Sequence, residues 1–169
     1  KADGRIGAWG ITGIGIPDCI LQALGETARP AAVQCITNLL DSPGELQYFP
    51  GPSRARELIV ATKASGSGVL GIRPVQGGAL CDRLDRELPD GHGVVVDFAK
   101  SEDFRTLAAE LGTSAAALAH RYALSMDDVD TVVLGCKNRE ELAECVAAEA
   151  AGPLETEIIA RIDASVPRS

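Results

Sequence analysis

The sequence predicts an α/β protein of about four β–α units on a parallel sheet, and three observations carry that prediction. Short apolar runs ending in glycine alternate with segments of helical apolar spacing. The strand-then-helix order repeats along the whole chain. Aliphatic residues dominate the apolar content while aromatics make up only 4%. Strands that are apolar throughout belong in a sheet covered by helices, and successive parallel strands need a crossover helix between them. Four units suit half of an eightfold barrel or a small open sheet, and periodicity does not separate the two.

Each element has a local reason. Residues 5–11, Arg5-Ile6-Gly7-Ala8-Trp9-Gly10-Ile11, form an apolar run that ends in glycine and read as a buried strand. Pro17 and Asp18 open a helix that stops at Gly25, since proline fits a first turn and an early carboxylate suits the helix dipole. Residues 32–36 are a second strand, followed by a turn-rich loop from Asn38 to Gly44. Residues 54–64 are helical by the spacing of Leu58, Ile59 and Ala61, and Ser65-Gly66-Ser67-Gly68 leads into a strand over 69–72. Residues 77–100 read as a long connection with an Asp90-Gly91 turn; connections of that length are usually functional or mobile. Helices are expected over 101–111 and 114–124, a fourth strand over 130–134, a helix from the Asn138 cap to Ala150, and a last helix over 155–166.

At 169 residues the chain suits one domain spanning 1–169. A net charge of −8 without a basic stripe argues against nucleic acid and anionic membranes as partners. The five cysteines, Cys19, Cys35, Cys81, Cys136 and Cys145, show no CxxC spacing, so neither a zinc site nor a redox dithiol is expected. Their number and scatter fit a reducing cytoplasm, and no membrane-spanning run or signal peptide is visible.

A set of motifs then occurs in a fixed order. Gly4-Arg5-Ile6-Gly7-Ala8-Trp9-Gly10-Ile11-Thr12 is followed by Val33-Gln34 with Asn38-Leu39-Leu40-Asp41, and by Gly68-Val69-Leu70-Gly71-Ile72-Arg73-Pro74 with Gly77-Gly78-Ala79-Leu80. Leu107-Ala108-Ala109-Glu110-Leu111-Gly112-Thr113-Ser114, Val132-Val133-Leu134-Gly135 and Asn138-Arg139-Glu140-Glu141-Leu142 complete the series. Nearly the whole chain resembles the fifth to eighth units of aldo/keto reductases. The resemblance implies a partial (β/α)8 TIM barrel and hydride transfer between NAD or NADP and a small carbonyl or alcohol. The family's catalytic Asp, Tyr, Lys and His lie on units one to four, so no catalytic residue is expected here. Tyr48, in a loop, and Tyr122, within a helix pattern, do not replace that tyrosine.

The resemblance also names binding candidates. Thr12 stands where the family uses a Ser-Asn pair on the nicotinamide carboxamide; alternatively its hydroxyl satisfies local backbone at a strand end. Gln34 matches a carboxamide-binding glutamine. Arg73 with Gly77 offers a guanidinium and bare backbone to a pyrophosphate, or Arg73 pairs with a carboxylate across the rim. Lys137 and Asn138 stand at a helix start that favours anions. Glu141 occupies the place of the arginine that receives the 2′-phosphate, which favours NAD over NADP. Cys145 replaces an asparagine that contacts adenine. His120 reads as a packed or partly exposed helix residue, His92 as a loop residue within reach of a ligand, and Asp82, Asp85 and Asp90 as solvated charges rather than metal ligands.

Four units would leave open sheet edges and an uncovered face. The chain is therefore expected to be completed by a missing N-terminal half or by a homodimer partner. Two functions follow: a reductase whose tetrad lies outside this chain, or a truncated non-redox relative acting as a partner subunit or in a biosynthetic step.

Overall fold

The computed structural model describes residues 3–166. Its elements are β1 (Gly10–Thr12), α1 (Pro17–Gly25), β2 (Ala32–Ile36), α2 (Ala55–Ala64), β3 (Gly68–Ile72), α3 (Gly93–Lys100), α4 (Glu102–Glu110), α5 (Ala115–Leu124), β4 (Thr131–Val132), α6 (Arg139–Ala150) and α7 (Thr156–Ala164). The four strands form one parallel sheet in chain order, β1-β2-β3-β4, an order compatible with a partial β/α barrel.

Register explains which side chains are covered. Ile11, Val33 and Val69 share one row, and Val33 and Val69 are fully buried in a core with Ile59, Phe104, Leu118 and Ile162. One residue along, the row Thr12, Gln34, Leu70 and Thr131 points to the other face, where Thr12 and Thr131 are exposed and Gln34 and Leu70 only half-buried. Helices thus cover one face of the sheet. Gly71 is where the sheet needs glycine for space: an added Cβ would lie 2.6 Å from the Thr37 hydroxyl oxygen, and that hydroxyl donates to the Ile72 carbonyl at 3.3 Å.

Three sequence expectations need correction. The first strand covers only Gly10–Thr12, because β2 begins at Ala32, opposite Gly10, and leaves the preceding residues no ladder partner. Just below that point the Ala31 amide still donates to the Trp9 carbonyl at 2.8 Å, but Ile6 is exposed. The expected connection over 77–100 is not a loop throughout: its last third is α3. Its Val94-Val95-Val96 run and leading glycine disguise a helix, since both are poor helix formers. The helix forms because His92 caps it, Nδ1 accepting the Val94 amide at 3.2 Å, and because Val94 is fully buried. The fourth strand is likewise shorter than expected, although the Asp130 and Val133 amides continue its bonding to β3 at 3.1 and 2.7 Å. The remaining helices fall within about a residue or two of expectation.

Among the described residues no helix is long and apolar enough to cross a membrane.

Candidate functional site

The site is built at the C-terminal ends of the strands, where β3 leaves the sheet. The backbone there turns sharply, with positive φ at Arg73 (59°), Gln76 (48°) and Gly77 (62°). Two non-glycine residues in that region cost energy, and neighbouring bonds must hold them. Gln76 is fully buried and supplies those bonds: its Oε1 accepts from Arg73 Nε at 2.8 Å, and its Nε2 donates to Ser42 Oγ at 3.1 Å and Asp97 Oδ2 at 2.7 Å. The Ser42 hydroxyl also donates to Asp97 at 2.6 Å, so the loop after β2, the turn after β3 and α3 are tied through one buried amide. Gly77 suits its place for two reasons. Its φ favours glycine, and a Cβ there would lie 3.1 Å from Arg73 Nη2 and 3.2 Å from Val94 Cγ2. Gly78 has φ 101° and open space beside it.

A cleft of about 680 Å³ lies between this turn and the start of α6. Its lining carries four cations, Arg73, Arg83, Arg86 and Lys137, and four carboxylates, Asp82, Asp85, Glu141 and Glu144. The cleft is therefore close to electrically balanced. Most of these charges are already partnered. Arg73 Nη2 bonds Glu45 Oε2 at 2.8 Å, the rim pairing that the sequence left open. Arg86 Nη2 donates to the Gly77 carbonyl at 3.0 Å. Lys137 pairs with Asp85 and with Glu141, the latter at 3.2 Å. The hydrogen bond to Lys137 holds the Asp85 carboxyl below its ordinary range and raises the ammonium in return.

The α6 N-terminus is occupied by the protein's own groups. Asn138 Oδ1 accepts the Glu141 amide at 2.8 Å, and Glu141 Oε2 accepts the Lys137 amide at 2.8 Å, as in a capping box displaced by one residue. The amide bond from Lys137 lowers the Glu141 pKa first, with the ammonium adding to it.

Of the expected binding residues, Arg73, Gly77, Lys137 and Glu141 line this one cleft, and Asn138 caps the helix beside it. Thr12 and Gln34 lie apart, at the β1–β2 end of the sheet. There the threonine hydroxyl donates to Gln34 Oε1 at 3.0 Å on the uncovered face. His92 caps α3. Asp82 Oδ1 accepts the Ala115 amide at 3.0 Å at the start of α5. Tyr122 is buried, donating to Asp163 at 2.5 Å and accepting from Arg56 at 2.9 Å, whereas Tyr48 is exposed.

Sequence reasoning missed three features of the cleft. The Gln76–Asp97 pair beside it joins the turn after β3 to α3, and no local pattern announces such a pair. Arg86 looks like any loop cation. Cys136, Cys145 and His120 cluster at the cleft, with Cys136 Sγ 3.7 Å from Cys145 Sγ and Cys145 Sγ 3.6 Å from His120 Nδ1. Their spacings of nine and 25 residues match no thiol motif. A second cavity, of about 710 Å³, lies at the start of α2, and its arginines are paired: Arg54 with Asp18 and Glu57, Arg56 with Asp41. Among the described residues no group of three or more His, Cys, Asp or Glu could hold a metal ion.

Residues 1–167 match the aldo/keto reductase family. The fold is similar to that of the aldo-keto reductase AKR11C1 from Bacillus halodurans in its holo form. The TM-score is 0.71 and the identity 25%, over 100% of this chain and 53% of that one. The apo form of the same protein matches with TM-score 0.71 and 24% identity over 54% of its length. The chain thus spans about half the length of these structures. No curated protein matches it.

Proposed function

The chain belongs to the aldo/keto reductase family, and from that premise we propose that it supplies the dinucleotide-binding half of a nicotinamide-dependent carbonyl/alcohol oxidoreductase. One observation carries this: the cleft beyond β3 and β4 gathers Arg73, Gly77, Lys137 and Glu141 at the C-terminal ends of the strands. That is the end of a β/α barrel where ligands bind.

The residues present fit the cofactor. Arg73, Gly77, Gly78 and Arg86 would hold the pyrophosphate, with guanidinium donors beside a glycine turn that leaves backbone uncovered. Lys137 and the first turn of α6 would face the adenosine. Glu141 already fills the anion position on the Lys137 amide, so it would repel a 2′-phosphate and bond ribose hydroxyls instead. NAD is therefore the expected cofactor rather than NADP. The Thr12 hydroxyl, bonded to Gln34 Oε1, turns the Nε2 end of that amide away from Thr12 and offers a donor to a carboxamide oxygen. When bound, the nicotinamide supplies or accepts the hydride.

The proton-transferring groups come from an N-terminal half that closes the barrel against the edges of β1 and β4. A second copy of the chain is the other candidate for those edges. Calorimetric titration with NADH and NADPH tests the proposal. Saturable binding, tighter for NADH, is expected; no heat with either at millimolar concentration would overturn it.

A second reading, a non-redox relative acting as a partner subunit, has one observation in its favour. Arg73 and Lys137 are both held by the protein's own carboxylates, so a pyrophosphate would have to displace Glu45 and Asp85 to reach them.

A further inference from the structure

We propose that Cys136 and Cys145 are a peroxide-sensitive thiol pair that closes to an intramolecular disulfide in the wall of the cleft. Their sulfurs are already in van der Waals contact at 3.7 Å. Cys136 lies in the loop just before α6 and Cys145 within α6, so the start of the helix folds one thiol onto the other. A disulfide needs the sulfurs to approach to about 2.05 Å. The loop has room to give, because a Cβ at Gly135 would meet nothing within 4 Å.

The two thiols differ in the way a two-step oxidation requires. Cys136 is exposed and meets the oxidant; Cys145 is buried and is shielded from it. Behind Cys145 stands His120, with Nδ1 at 3.6 Å and Nε2 at 4.0 Å from the sulfur. Burial pushes the Cys145 thiol up to about 11, so it needs a base to react at neutral pH. Burial also lowers the His120 pKa, which keeps the imidazole neutral and able to take a proton; Glu144 and Glu141 oppose that shift only in part.

The chemistry balances with hydrogen peroxide as oxidant. The Cys136 sulfur attacks one peroxide oxygen: an S–O bond forms, the O–O bond breaks, and the departing hydroxide leaves as water with the thiol proton. Cys145 then attacks the Cys136 sulfenic acid while its proton passes to His120. The S–S bond forms, the S–O bond breaks, and the hydroxide takes that proton from His120 and leaves as water. Two thiols lose two electrons and two protons, and one peroxide becomes two waters.

Both sulfurs line the cleft, so closing the pair draws the backbone next to Lys137 toward α6 and reshapes the adenosine end. That consequence rests on the proposed dinucleotide site; the disulfide itself does not.

The test treats the reduced full chain with a small molar excess of hydrogen peroxide without denaturant, then blocks free thiols and maps peptides by mass spectrometry. A Cys136–Cys145 crosslink with loss of two hydrogens is expected. Cys81, a third thiol on the cleft, is expected to stay free. Crosslinks through Cys81, or sulfinic acid at Cys136 without a crosslink, would overturn the proposal. Cys145→Ala should leave Cys136 as a sulfenic acid that dimedone traps, and Cys136→Ser, at an exposed position, should abolish oxidation of the pair. His120→Gln should slow closing roughly a hundredfold while leaving sulfenic acid formation unchanged. An unchanged closing rate would overturn the role of His120. NADH titration of the oxidised protein separates the two proposals. A crosslink with unaltered NADH affinity would leave the thiol pair standing and count against the dinucleotide site, whereas NADH binding without any crosslink would do the reverse.

Discussion

In the proposed dinucleotide site Glu141 would set the choice between NAD and NADP, because one carboxylate both accepts the Lys137 amide and pairs with its ammonium. Glu141→Gln keeps the shape and removes the charge. NADPH should then gain roughly tenfold in affinity relative to NADH, an electrostatic change of about 1.4 kcal/mol. Paired titrations check this, and an unchanged ratio would mean that the 2′ position lies elsewhere. His120 makes a prediction about pH. Burial holds its folded pKa below the ordinary 6.5. Below that value the unfolded chain binds the proton before the native chain does, so stability rises with pH across this window and is lost on acidification. His120→Gln should flatten the pH dependence of the urea midpoint between about pH 7 and pH 5, and parallel curves for the two proteins would contradict it. The sequence placed His120 on a helix as packed or partly exposed, and the fold buries it. It gave no sign of the neighbouring thiols, because contact between α5 and α6 is a tertiary fact.

At the scale of elements, the turn after β3 concentrates the unusual backbone. Arg73 and Gln76 hold positive φ only because the Gln76 amide is locked by Ser42 and Asp97. Gly77→Ala should cost roughly 1–2 kcal/mol, from the left-handed conformation alone. The crowding against Val94 and Arg73 adds to it. Urea denaturation measures that loss, and a neutral result would show that the turn relaxes freely. The strands and most helices were legible because their causes are local: apolar runs for β2 and β3, Pro17 for α1, Asn138 for α6. The start of β1 was not, since a strand can pair only from where its partner begins and the chain cannot announce its partner's start. Helix α3 was hidden for the opposite reason: three valines disfavour a helix locally, while burial of Val94 and the His92 cap favour it.

For the molecule as a whole, the row Thr12, Gln34, Leu70 and Thr131 lies on the face without helices, and β1 and β4 end the sheet. Repetition alone left half-barrel and open sheet equally possible. The family motifs, and then the match to about half of a reductase barrel, separate them. Of the cleft's lining, the motifs had named Arg73, Gly77, Lys137 and Glu141, whereas the charge pairing among its residues depends on loops that meet only in the fold. The measurement that tests the central claim most directly is an amide NMR titration of the full chain with NADH. A dispersed spectrum in which Gly77, Gly78 and the amides of 137–141 shift together and saturate is the predicted result. A dispersed spectrum whose cleft amides stay fixed at millimolar NADH would contradict it.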